Sequence, residues 1–454
     1  MQKYFGGLLG FYILIRALSF FLVGFVALQN IIAAALVATF IFFCVKDLST
    51  AWKLLIVELL LDGAGHFFEL HGLLLRTWLL GIFAIFWLAR RRTKIVLPPK
   101  NTWIALGVFA ACFAWAIING ILHHNGITPV LQDAMLYLFA ALMFPGLEME
   151  SGRQRIYGAA VKVFIVGSAI FSVLTLALYS SGYYILQNSY YHWFRDVAAG
   201  KITDLGTHFF RIVTAEQILF VPIILILLGM LTKKITDKKI WTLMTLSLTV
   251  LILNFTRIYF IGIAVGAGFL LFYTPWKQWL RACGLTLLAS AIIFFGFHLA
   301  ASRGQSLGLE LLGVRASGIR APTTDPSGAI RLALLPDIKR HILAHPLLGS
   351  GLATQVTYLD PLTKTYLMRT QFDWGYLQMI TDLGMTGTAA YIFFLGTLLY
   401  NFEKKIKMPG YIAGAIALFV INFTTPAIFQ GFGVLYFALL VVATQHPSLL
   451  TDPV

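Results

Sequence analysis

Charge is scarce in this chain: Asp, Glu, Lys and Arg make up only 12% of its 454 residues, about half the share found in soluble domains. That excludes a water-soluble fold, because 59% of the residues are hydrophobic and the mean hydropathy is +0.82, more apolar surface than so few polar groups can cover. Cysteine is nearly absent as well. Cys44, Cys112 and Cys283 all fall inside apolar runs and match no metal-binding or redox spacing, so they read as packing residues and imply no disulfide framework. Of the charged residues the acidic ones are the fewer, 19 against 34 Lys and Arg, a net charge of +15. No small-residue cleavage site follows Lys3 and its apolar run, so that run reads as a first membrane span and not as a signal peptide.

Apolar runs of spanning length are what the chain has in abundance. A helix that crosses a bilayer needs about 20 mostly apolar residues. Runs near 5–27, 30–45, 51–70, 73–90, 102–121, 128–146, 156–180, 215–232, 240–255, 257–274, 279–301, 376–401, 410–425 and 430–446 give about fourteen such helices. Several are short or nearly continuous with the next, so the expected class is an all-α polytopic membrane protein with 12–14 transmembrane helices.

Basic clusters at Arg90, Arg91, Arg92, Lys94 and Lys100, at Arg153 and Arg155, at Lys233, Lys234, Lys238 and Lys239, at Lys277 and Arg281, and at Lys404, Lys405 and Lys407 then fall on one side. By the positive-inside rule that side is cytoplasmic and both termini share it. The resulting organisation has N-terminal transmembrane helices over 1–180, a first extracytoplasmic loop over 181–214 and central transmembrane helices over 215–301. A large, partly helical extracytoplasmic loop over 302–375 and C-terminal transmembrane helices over 376–454 complete it.

Cytoplasmic anchoring to anionic lipid accounts for part of the net charge. The rest sits in the large loop, where Arg303, Arg315, Arg320, Arg331, Lys339, Arg340, Lys364 and Arg369 outnumber Glu310, Asp325, Asp337, Asp360 and Asp373. An anionic substrate presented at the outer membrane surface would use that excess. Arg211 and Arg257 lie at span edges on the same side. Each either snorkels to lipid phosphate or holds a substrate phosphate with its rigid fork of donors.

Leu332, Leu335, Ile338, Ile342 and Leu343 recur at helical spacing, so 331–344 reads as an amphipathic helix lying on the membrane surface or on the outer ends of the spans, with Arg331, Lys339 and Arg340 on its polar face. His345-Pro346 ends that helix. Gly349 and Gly351 then read as a close-packed turn in preference to a phosphate cradle.

Four segments also carry a resemblance: Arg211 and the run it opens (RIVTAEQILFVPIILIL), the stretch from Leu253 (LNFTRIYFIGIAVG), the stretch from Arg331 (RLALLPDIKRHILAHPLLGSGLA) and the stretch from Asp373 (DWGYLQMITDLGMTG). Over about 205–445 the chain resembles the O-antigen ligase and polymerase superfamily of bacterial surface polysaccharide assembly. The resemblance implies a GT-C-like enzyme of the bacterial inner membrane. It would transfer a glycan from undecaprenyl diphosphate to another lipid-linked glycan, with no metal or cofactor, with membrane lipids and an optional chain-length regulator as partners, and with no nucleic acid.

In that scheme Arg211, Arg257 and Arg331 stabilise the departing diphosphate. Asp373 stands where the ligases carry histidine and Trp374 where they carry an amide, a departure that favours polymerase over transfer to a lipid A-core acceptor. Asp373 is then either the general base or an ion-pair partner. His208, His341 and His345 are alternative bases, Glu216 is the expected partner of Arg211, and Arg315, Arg320, Lys339, Arg340, His345, Arg369 and Tyr376 are expected to contact substrate. Asp62, His66, Glu69 and Asp133 fall in or near spans, where ionisable groups also suit a transporter, although no inverted repeat supports one; a scaffold without chemistry is the third reading.

Overall fold

The computed structural model describes residues 2–61, 67–90, 96–148, 155–182, 184–206, 208–313 and 326–446. The N-terminal part contains α1 (Gln2–Phe21), α2 (Val26–Lys46), α3 (Leu48–Leu61), α4 (Leu75–Arg90), α5 (Lys100–Leu122), α6 (Ile127–Leu138), α7 (Met143–Glu148), α8 (Arg155–Ser181) and α9 (Tyr184–Asp196). After it come α10 (Phe220–Leu231), α11 (Lys238–Asn254), α12 (Arg257–Leu270), α13 (Trp276–Ala301), α14 (Pro326–Ala344), α15 (Gly375–Ile406), α16 (Pro409–Ile421) and α17 (Gly431–Gln445). Leu, Ile, Phe, Val and Ala dominate these runs, so in hydrocarbon each must satisfy its backbone internally, and the helix is the local way to do so.

Among the described residues seven helices are long and apolar enough to cross a membrane: Tyr4–Phe21, Val26–Lys46, Lys100–Leu122, Ile127–Glu148, Ile156–Ser181, Trp276–Ala301 and Gly375–Ile406. Ala215–Leu231, Arg257–Tyr273, Pro409–Ile421 and Gly431–Gln445 are apolar but shorter. The expected all-α, multi-span class holds, and several of the spans are short, as expected. Burial explains the short ones: Phe220, Val221, Ile224 and Leu225 of α10 and Ala413, Ala415, Ala417 and Leu418 of α16 have no exposed surface. A helix packed on all sides by protein need not reach both lipid boundaries. Outward-facing Phe21, Phe272 and Leu287 are at least 70% exposed, as lipid-facing side chains would be.

The all-α expectation holds for the apolar part. Outside it, among the described residues, lie three antiparallel hairpins, β1 (Glu69–Leu70) with β2 (Leu73–Leu74), β3 (Lys201–Asp204) with β4 (Phe210–Val213), and β5 (Val356–Leu359) with β6 (Tyr366–Arg369).

One break in helical backbone ties the segment after α14 to the bundle. Gly384 interrupts α15 at φ 70°, ψ 179°, a conformation essentially restricted to glycine. The groups it frees are taken up by the segment 346–351. Ser350 N–H donates to Thr381 O at 2.7 Å and Gly351 N–H to Asp382 O at 3.2 Å, while Met385 N–H donates to Pro346 O at 2.9 Å and Thr386 N–H to Leu347 O at 3.2 Å. Gly349 packs on Gly384, and Gly351 packs on the backbone of Gly120 near the end of α5. Irregular backbone at membrane depth is tolerated when protein encloses it, and here the two irregular segments satisfy each other.

Candidate active site

The loop builds a small core of its own. Leu334 and Ile338 of α14 pack with Val356, Tyr358 and Phe372, and Ile330, Ala333, Ile342 and Trp374 close around them. The buried stripe is therefore the row at 330, 334, 338 and 342, whereas Leu332 and Leu343, expected on the apolar face, are 37% and 68% exposed. The reason is the partner: α14 lies against the β5–β6 hairpin, which selects one i, i+4 row.

That docking brings Arg331 to Asp373. Arg331 Nε donates to Asp373 Oδ2 at 2.9 Å and Nη2 lies 2.9 Å from the same oxygen, with side chains 25% and 44% exposed. Trp374, left-handed at φ 91°, donates from its indole Nε1 to the Arg331 carbonyl at 3.0 Å. Non-glycine residues hold such a backbone only where their surroundings enforce it, and the indole bond is one such restraint.

Arg211 was expected to open a helix. It stands instead on β4, opposite Thr203 of β3, and the helical turn begins only after Thr214. Phe210, Ile212 and Val213 favour the extended chain, and Ile212 is fully buried. From β4, Arg211 Nε donates to the Asn254 carbonyl at 2.8 Å and Nη2 to Thr256 Oγ1 at 2.8 Å. Asn254 and Thr256 flank Phe255, which turns left-handed at φ 48° between α11 and α12. Arg211 thus clamps the turn from which Arg257 opens α12.

Tyr259, in the first turn of α12, is buried, and its hydroxyl is within electrostatic range of Arg211, Asp373 and Glu216. Sequence reading passed over Tyr259, because a tyrosine in an apolar run looks like packing. Glu216 is buried, and its carboxylate also feels Arg16 of α1. Arg16 is buried too, 3.6 Å from the centroid of the Tyr12 ring. It was missed, although a lone charge inside the run 5–27 was the available signal.

Other expected contacts are spread more widely. Lys339 and Arg340 are exposed, with Arg340 Nη2 2.5 Å from Asp337. Arg369 is exposed, its guanidinium 5.4 Å from the Tyr358 ring centroid. Tyr376 donates its hydroxyl to the Phe419 carbonyl at 2.9 Å, tying α15 to α16. His345 is exposed beside His123, with ring centroids 5.1 Å apart, and His208 is exposed on the β3–β4 connection. Arg315 and Arg320 lie outside the described residues, as do Asp62, His66, Arg91, Arg92, Lys94, Arg153 and Asp325.

On the other flank of residues 371–373 a polar pocket opens beside Asp133 of α6, whose Oδ1 accepts from Gln371 Nε2 at 2.8 Å. A different cavity, of about 360 Å³, lies among α1–α4, lined by apolar side chains with Arg16 and Glu58.

Residues 242–392 match a family model described as O-antigen ligase. Over that third of its length the chain is similar to the O-antigen ligase family. The match supports the O-antigen ligase and polymerase superfamily, glycan transfer of that general kind, lipid-linked glycans as partners and a multi-pass membrane protein. No curated protein and no solved structure matches the chain. The ligase segment spans Arg257, Arg331, Asp373 and the Gly384 break, while Arg211, Asp133 and the helices before residue 242 fall outside it.

Proposed function

We propose that the chain is a polysaccharide polymerase that joins a glycan on a polyprenyl diphosphate to a second lipid-linked glycan at the extracytoplasmic face of the bacterial inner membrane. The observation that carries this reading is the pairing of Arg331 with Asp373 inside the segment similar to the O-antigen ligases. The acceptor hydroxyl attacks the anomeric carbon as the bond to the diphosphate oxygen breaks. Its proton passes to Asp373, and the negative charge that grows on the diphosphate is met by Arg257 and Arg331, with Arg211 holding the turn that presents Arg257. Arginine suits that task because its planar fork pairs with two phosphate oxygens at once. Fixed charges aimed at developing charge are worth about 10²–10³ in rate each. Residues 302–375 face the cell exterior in this reading, and both termini face the cytoplasm.

The family description favours a second reading, in which the same site passes the glycan to a lipid A-core acceptor. Asp373 in the place of a ligase histidine supports the polymerase. Purified protein supplied with polyprenyl-diphosphate-linked glycan should extend it. Arg331→Lys should be impaired nearly as much as Arg331→Ala, and chelators should leave the rate unchanged. Full turnover by folded Arg257→Ala and Arg331→Ala proteins, or an absolute need for magnesium, would remove the arginine site.

A further inference from the structure

The pocket beside Asp133 takes no part in the transfer chemistry of the arginine site. Its volume of about 490 Å³ falls within the range of small-ligand sites, about 300–1,000 Å³. Polar side chains from Gln132, Asp133, Gln355, Arg369, Thr370 and Gln371 line it together with Pro129 and Met368. Asp133 is only 5% exposed, and its two carboxylate oxygens differ. Oδ1 is anchored by Gln371, whereas Oδ2 is buried with no hydrogen-bond partner, although the Ala353 N–H faces the carboxylate. Burying a carboxylate oxygen unsatisfied is costly, and because Asp133 lines the open pocket, a small turn of its side chain would present Oδ2 to a donor from outside.

Hydroxyl groups are the donors that fit. Each donates one bond and accepts others, and the lining offers matching acceptors and donors from three amides, a threonine and the exposed guanidinium of Arg369. A cation would need more carboxylates than are here. Asp382 is within electrostatic range of Asp133, but among the described residues no group of three or more His, Cys, Asp or Glu gathers to hold a metal.

Position selects which glycan. The donor's anomeric carbon is bonded to the diphosphate and so lies with the arginines. Gln371 is two residues from Asp373, at most about 7 Å along an extended chain, so a sugar held in the pocket lies within reach of the carboxylate that takes the acceptor's proton. We propose that this pocket binds one sugar residue of the acceptor glycan through Asp133 and Gln371, and so selects which acceptor hydroxyl reaches Asp373. The proposal rests on the glycan-transfer reading and deepens it.

The test uses the full chain in lipid nanodiscs. The probe is a lipid-free oligosaccharide released by mild acid from the host's own surface glycan, with binding read by saturation-transfer NMR and transfer read as acceptor KM at saturating donor. Asp133→Asn and, as the variant with an exposed side chain, Gln371→Ala should each weaken oligosaccharide binding and raise acceptor KM about tenfold or more, with donor KM and the size-exclusion profile unchanged. Unaltered binding and acceptor KM in both variants would overturn the proposal. So would loss of manganese binding in Asp133→Asn with oligosaccharide binding intact. A wild-type protein that binds the oligosaccharide through Asp133 but transfers nothing would uphold the pocket and refute the transfer reading.

Discussion

On one flank of residues 371–373, charge is matched and water reaches it: Arg331 and Asp373 pair with 25% and 44% of their side chains exposed. On the other, Asp133 is almost sealed off and only one of its oxygens is bonded. The two flanks are backed by the same scaffold. The turn 349–352, whose last residue precedes Ala353 at the pocket, is locked into α5 and into the α15 break. A solvated ion pair can let go of a partner when an anionic substrate arrives, because little is lost on exchange. A desolvated carboxylate discriminates, because an ill-fitting ligand leaves it unsatisfied. In the proposed scheme charge capture and sugar selection are therefore separable, and single substitutions can probe that separation.

Breaking the common scaffold should do the most damage. Gly351 sits at φ 90° and a Cβ there would run into Gly120 backbone. Gly351→Val combines a forbidden backbone with overpacking, costing about 2–6 kcal/mol. Little folded protein should survive detergent extraction, as judged by fluorescence-detected size exclusion, and both flanks should fail together. A well-folded Gly351→Val protein would show that the two flanks do not depend on this turn.

Next in size is Asp373. A general base contributes about 10²–10⁴-fold in rate, so Asp373→Asn should remove most turnover while donor binding and the folded state persist. Asp373→His should keep measurable activity if histidine and aspartate serve one geometry. An active Asn variant beside a dead but folded His variant would move the base to His345 or His341.

The spanning architecture was legible from the apolar runs, because hydrophobic length is a one-dimensional signal. The length of individual helices was not, since burial of α10 and α16 by their neighbours depends on contacts distant in sequence. Arg331, Arg257 and Asp373 stood out as charges near span boundaries, but that Arg331 meets Asp373 required the docking of α14 on β5–β6. Periodicity placed Ile338 and Ile342 of α14 correctly but added Leu332 and Leu343, which fit a helix equally well and are exposed. Arg211 was assigned to the wrong element, since the tendency of four residues to pair with β3 is invisible in a predominantly helical chain. Asp133 was seen only as a charge in a span; its pocket comes from residues more than two hundred positions later.

The ion pair itself should matter little to stability. With both partners partly in water, a double-mutant cycle on Arg331→Ala and Asp373→Ala should give a coupling of about 0.2–1 kcal/mol, read from denaturation midpoints in detergent. A coupling of several kcal/mol would mean that the pair is structural, and would blur the contrast with the Asp133 flank.

The smallest expected effect is a pH dependence from the loop core. Burial holds the pKa of His341 below its usual value of 6.5, outweighing the pull of Asp337, while Arg340 and His345 push the same way as burial. Its Nε2 is buried without a hydrogen-bond partner, 3.9 Å from Asp337, so protonation in the folded loop gains too little to offset lost hydration. The unfolded chain then binds more protons than the folded one once the pH drops below about 6.5. Stability should be complete above that value and decline as pH falls toward the lowered folded pKa. His341→Gln, neutral throughout, should flatten that decline in thermal-denaturation midpoints between about pH 6.5 and 5, leaving the neutral-pH midpoint and the Arg331–Asp373 coupling nearly unchanged. A steeper acid decline in the Gln variant would mean that protonated His341 is held by Asp337, making the loop core a charge-matched region like the arginine flank.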